Sequence, residues 1–144
     1  MPYYTFRDFV GELAEMPVVG VVRNYGWQPI TSLNTQDLPA QTVRLPRGDL
    51  LPWVYADGAS HGILTAEVMI FTEPVAQKDP ESNFIEAVMM MDNLSAALYT
   101  LNCGISRAWF SVRQSIFTVA AEDYWGIQAL VSTRGRPNAA SPAT

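Results

Sequence analysis

The chain has 144 residues, 49% of them apolar and 16% charged, with a formal net charge of −5. That length fits one domain with a core of its own. The acidic balance argues against a nucleic-acid footprint or attraction to anionic lipid, and a lone cysteine, Cys103, rules out a disulfide within the chain.

In chain order, Thr5 and Asp8 resemble a capping box with Asp in the usual Glu place. Phe6, Phe9, Val10 and Leu13 then recur at helical spacing until Pro17, which predicts an amphipathic helix from about Thr5 to Met16. Val18 to Arg23 is apolar and β-branched and reads as a strand. A long polar stretch runs from Asn24 to about Asp37 and ends in Leu38-Pro39. Ala40 to Leu45 reads as a second strand, closed by Pro46. Residues 46–60 are rich in Pro, Gly and Asp around Leu50-Leu51-Pro52-Trp53 and read as a loop. The clearest strand is Ile63 to Thr72. Leu64, Ala66, Val68 and Ile70 share one face; Ile63, Thr65, Glu67, Met69 and Phe71 share a mixed, partly covered one.

A proline-bearing loop leads into the longest helix, about Glu81 to Leu101. Its expected core stripe is Phe84, Val88, Met91, Leu94, Leu98 and Leu101, widened by Ile85 and Met89. Two strands close the domain, about Ile105 to Val119 and Tyr124 to Thr133, joined as a hairpin by a turn over residues 120–123. The order α-β-β-β-α-β-β predicts one α+β domain over residues 1–133. Its antiparallel or mixed sheet has about five strands, and both helices pack on one face. Residues 134–144 are small, polar and proline-containing and read as a flexible or partner-ordered tail.

Catalytic chemistry needs convergent groups, and the sequence offers few. His61 has Asp57 and Ser60 nearby on a glycine-containing loop, with no nucleophile motif. Cys103 closes a helix, where the dipole disfavours a thiolate. One His and one Cys some forty residues apart make no zinc spacing, and no glycine-rich phosphate loop is present. The expectation is a non-enzyme with no metal and no cofactor. The aromatics Trp109, Phe110, Phe117, Tyr124 and Trp125 lack a basic groove for nucleic acid beyond Arg107 and Arg113, and read as core plus subunit interface. The low charge fits a surface covered by partners. It also fits an ordinary domain with an uncharged polar surface. The N-terminus shows no leader pattern, and no apolar stretch approaches the ~20 residues of a membrane helix.

Several landmarks together carry a resemblance. They are the short first helix, the long polar insert and Leu38-Pro39-Ala40-Gln41-Thr42-Val43. To these add the strand from His61 to Thr72, the helix with Met91-Asp92-Asn93-Leu94, and Asp123-Tyr124-Trp125-Gly126-Ile127. Over residues 5–133 the chain resembles the tail terminator, or tail-to-head joining, proteins of long-tailed bacteriophages. The resemblance implies a structural virion protein at the head-proximal end of the tail, assembled in the host cytoplasm. It implies a homo-hexameric ring that caps the tail tube, stops its polymerisation and meets the head-tail connector or head completion protein. DNA would pass its lumen without specific binding, and no membrane is involved.

A closed ring needs head-to-tail interfaces, and long loops in a compact domain are usually functional or disordered. Trp27, Leu33, Leu50 and Trp53 are therefore candidate docking residues; a small satellite core beneath the loops is the alternative. Arg134 and Arg136 would lie along a neighbour, or belong to a frayed end. Rival readings are another phage joining or tail tube subunit, an unrelated oligomeric scaffold, and a small ligand-binding α+β domain using His61 or Cys103.

Overall fold

A computed structural model describes residues 5–44, 47–50, 62–75, 80–102 and 109–135. Helix α1, Phe6–Ala14, starts where the sequence places it. The Thr5 hydroxyl accepts from the Asp8 N–H at 3.2 Å, satisfying one of the unpaired donors of the first turn. The helix buries Phe9, Val10, Leu13 and Ala14.

The segment after Pro17 is not the predicted strand. The Val21 N–H returns to the Val18 carbonyl at 3.2 Å, and Gly20 has φ +92°. A side chain at that φ would be strained, and one there would also meet Met90 Cε at 3.2 Å. Only β1, Arg23–Asn24, is extended, and it runs parallel to β2, Ala40–Val43. A short 3-10 turn, Thr35–Asp37, precedes β2. Arg47–Leu50, expected to be loop, forms β3 against the start of β4. Strand β4 is Gly62–Pro74. Helix α2, Pro80–Asn102, matches its predicted length closely.

Strands β5, Trp109–Val119, and β6, Glu122–Gly135, make the closing hairpin. Its turn is tighter than expected. Ala120 and Ala121 have φ of 51° and 66°, the left-handed pair that matches the twist of a two-residue hairpin. Strand β6 runs through Gly135, so Arg134 belongs to the sheet, opposite Ile63, and not to a tail.

The six-stranded sheet has the order β1-β2-β4-β6-β5, with β3 beside β4 below β2; all pairs except β1–β2 are antiparallel. Both helices lie on one face, as the order of elements predicts. Alternation along β4 and β6 sends Leu64, Ala66, Val68, Ile70, Ile127, Ala129 and Val131 to that face. There they meet Phe9 and Leu13 of α1 and Met90, Leu94 and Leu98 of α2.

The phase of α2 departs from expectation. Its inward positions are Asn83, Ala87, Met90, Leu94 and Leu98, with Met91 and Leu101 partly buried. Leu94 and Leu98 were placed correctly. Phe84, Val88, Ile85 and Met89 were not: they are 47%, 40%, 51% and 59% exposed. The reason is geometric. Leu94 and Leu98 fix the rotation of a straight helix. Two and three turns before Leu94, that rotation brings Ala87 and Asn83 against the sheet.

Candidate docking surfaces

The sheet's other face is covered at one end by residues 25–38. Tyr25, Ile30 and Leu33 pack on a second cluster of Leu38, Ala40, Met69, Phe71, Val119 and Tyr124, with Phe117 at its border. Phe71 and Phe117 tilt against each other at 5.2 Å, and Tyr124 meets Phe71 edge-on at 6.3 Å. A side chain at Gly126 would strike the Phe117 ring at 2.6 Å and the Ile70 carbonyl at 2.8 Å, so this position admits glycine alone.

Polar side chains pin the segment's start. Asn24 donates to the Ala14 carbonyl at 2.9 Å and accepts from the Gly26 N–H at 2.8 Å. Thr42 donates to the Gly26 carbonyl at 2.9 Å, and the Val43 N–H reaches the same oxygen at 2.8 Å. Buried Gln41 donates to the Met16 carbonyl at 3.0 Å. Arg23 lies over the Tyr25 ring at 4.5 Å and faces Asp37 at 3.5 Å.

The predicted docking residues therefore separate. Leu33 belongs to the satellite cluster under the loop, the alternative weighed for it from sequence. Trp27 stays 57% exposed, at the rim of a cleft of about 610 Å³. Ile30, Thr42, Met69, Phe71, Phe117 and Val119 line that cleft, with Arg44 and Glu67 at 4.0 Å toward one end. Leu50 lies in β3, opposite Gly62. Trp53, Arg136, His61, Asp57, Ser60 and Cys103 lie outside the described residues, so the expectations attached to them do too.

Among the described residues, nothing folds over the far end of the second face. Ile63, Leu130 and Trp109 are exposed there around a Thr65–Ser132 hydroxyl pair at 2.9 Å. A polar line crosses three strands between the two ends. Arg113 donates to Gln128 Oε1 at 3.0 Å, and Gln128 donates to Glu67 at 2.9 Å.

Sequence reasoning missed the outward face of α2. Phe84, Ile85, Val88 and Met89 lie one and four residues apart, so they form a continuous apolar patch. Tyr99 is further along the same side, edge-on to Phe110 of β5 at 5.4 Å. On the other flank of α2, Met16, Pro17, Val18 and Val19 with Ala96, Ala97 and Leu101 line a mostly apolar groove of about 640 Å³. The signal was present in the sequence: an apolar run too broad for one buried stripe. At the strand end that faces Glu86 of α2, the Glu73 carboxyl is pushed above its ordinary value, first by burial and then by the Glu86 charge.

Among the described residues no three His, Cys, Asp or Glu side chains come together, and no helix is long and apolar enough to cross a membrane. Comparison with protein-family models finds no matching family, and comparison with curated proteins finds no match.

Proposed function

We propose that the chain is a non-catalytic assembly subunit of the tail-terminator kind. In this reading it forms a ring that caps a phage tail tube, halts its growth and joins the tail to the head connector. The observation that carries the reading is the outward face of α2. Four large apolar side chains on one helix are exposed while the same helix buries Leu94 and Leu98 completely. A patch of that kind marks a surface that is covered in the working assembly. Exposed Trp27 and the groove beside Val18 and Val19 add further apolar surface. The landmarks of sequence order supply the identity of the assembly, and the patch supplies its need for partners.

The test is mass in solution across a concentration series, followed by mixing with purified tail tubes. A ring, free or at tube ends, is expected. The double substitution Ile85→Ser with Met89→Ser should abolish assembly and cost less than about 0.5 kcal/mol of monomer stability, because both side chains face solvent. A chain that never associates, even on tubes, removes the reading.

A ligand-binding domain is the second reading, and the cleft beneath Trp27 favours it. Its aromatic walls and its Arg44–Glu67 end suit a small amphipathic molecule. Quenching of Trp27 fluorescence by such a molecule, absent in Trp27→Phe, would support it over the first.

A further inference from the structure

The groove on the flank of α2 has one wall from the chain after α1 and one from α2 itself. After Pro17 the chain turns tightly, with the Val21 N–H on the Val18 carbonyl at 3.2 Å and Gly20 at φ +92°. The turn buries Val18 and leaves Val19 78% exposed, as a ridge. Gly20 lies so near α2 that an added Cβ would meet Met90 Cε at 3.2 Å and Asn93 Nδ2 at 3.4 Å, so the two walls meet there. The α2 wall is built of small side chains, Ala96, Ala97 and Thr100. The Thr100 hydroxyl donates to the Ala96 carbonyl at 3.1 Å, so its proton is already satisfied within the helix.

The charges around this groove have one sign. Residues 8–22 and 81–102 carry Asp8, Glu12, Glu15, Glu81, Glu86 and Asp92, and no Lys or Arg. All of these carboxylates are exposed, and none is in an ion pair among the described residues. Glu15 precedes Met16 of the groove and Asp92 precedes Asn93. Glu86 stands two helical turns before Asn93, on the same flank. Glu86 also adds its charge to burial in pushing the Glu73 carboxyl up. The neighbouring cations point elsewhere. Arg7 belongs to the opposite end of α1, and Arg23 is committed to Asp37 and the Tyr25 ring.

We propose that this groove seats a short amphipathic helix of a partner protein, apolar on one side and carrying Lys or Arg along its flanks. Helices dock in such grooves through apolar anchors on successive turns. The α2 wall from Asn93 to Leu101 is about 12 Å long at roughly 1.5 Å per residue, which matches two turns of a partner. Its small side chains let a second helix axis come close. Lys and Arg stems cover the apolar rim while their charged ends reach Glu15, Glu86 and Asp92. A second copy offering its own α2 would bring three more carboxylates and no cation, so the charge pattern selects a different molecule. This goes beyond the ring reading, in which like copies cover the outward face of α2.

The test uses the full chain and two fluorescein-labelled, alanine-rich peptides of about 15 residues, long enough to populate a helix. Both carry leucines along one face; one has lysine flanks and the other glutamate flanks. Anisotropy at low salt should show saturable binding of the lysine peptide, with the glutamate peptide about tenfold weaker or worse. Ala96→Arg fills the groove and opposes its charge, and should weaken the lysine peptide about tenfold. Val19→Lys, on the other wall, should act in the same direction. Both positions are exposed, so circular dichroism should show folded variants. Equal binding of the two peptides, or binding indifferent to both substitutions, would overturn the proposal. So would a failure of both peptides to bind. Light scattering would in that case identify a second copy as the occupant if Ala96→Arg disperses an assembly of the chain. The ring reading is decided separately, by the mass of the wild-type chain with and without tail tubes, so either can fail alone.

Discussion

The two faces of one sheet have different fates, although the same strands build both. Beneath the helices, β4 and β6 offer Leu64, Val68, Ile70, Ile127 and Val131, and all are buried in one continuous cluster. On the reverse face the neighbouring positions divide. Met69, Phe71 and Tyr124 are buried because residues 25–38 fold over them; Ile63 and Leu130 are exposed because nothing described covers them. Alternation thus decides which face a side chain joins. Whether that face is dry depends on what lies across it.

The sharpest way to break this contrast is on the helix side. Leu94→Ala should cost about 2–5 kcal/mol, since Leu94 is fully buried between α2 and the sheet and close packing leaves little room to collapse the void. Chemical denaturation measures it. The hairpin that supplies both faces gives the next effect, of opposite sign. Replacing Ala120-Ala121 by Asn-Gly should stabilise the fold by about 1–2 kcal/mol, because both alanines hold positive φ against steric opposition. On the reverse face, Leu33→Ala should cost only about 1 kcal/mol, as Leu33 is half-buried in a smaller cluster. A loss as large as that of Leu94 would show the loop to be part of the main core.

The smallest effect concerns pH. The folded Glu73 carboxyl sits above its ordinary value of 4.5 because burial, and then Glu86, disfavour its charge. Its stabilising contribution is therefore present below that value and is lost as pH rises through the folded one. Glu73→Gln should flatten this slope and raise the melting temperature slightly at neutral pH, the smallest of these effects, with thermal melts over a pH series as the check. An unchanged pH profile would show that Glu73 carries no such penalty.

Much of this was legible in the residues. Thr5 marked the start of α1 through a side chain that can satisfy a backbone donor, and Leu64, Ala66, Val68 and Ile70, two residues apart, announced the helix-side face of β4. Val18 to Val22 was misread because β-branching states a local preference, whereas Gly20 and the Val18–Val21 turn decide the path. The stripe of α2 was drawn through its largest apolar side chains. Its true phase uses Asn83 and Ala87, whose small size matters only once a sheet lies beneath them. For the same reason the patch of Phe84, Ile85, Val88 and Met89 was hidden inside an expected core. The docking residues were read from loop length and aromatic content. Those signals found Trp27 at a rim and Leu33 under it, without telling one from the other.

Asn24 and Gln41 stand on two different strands, yet both donate to the chain that leaves α1, at the Ala14 and Met16 carbonyls. Helix α1 and the β1–β2 border are thereby stitched into one cooperative unit. In hydrogen exchange, the amides of Tyr25 and Val43 should lose protection together with those of α1, at a common opening free energy. The seam also gives the molecule a grain. A force applied to the chain before Phe6 would be carried across this border into β2 and, through their pairing, into β4.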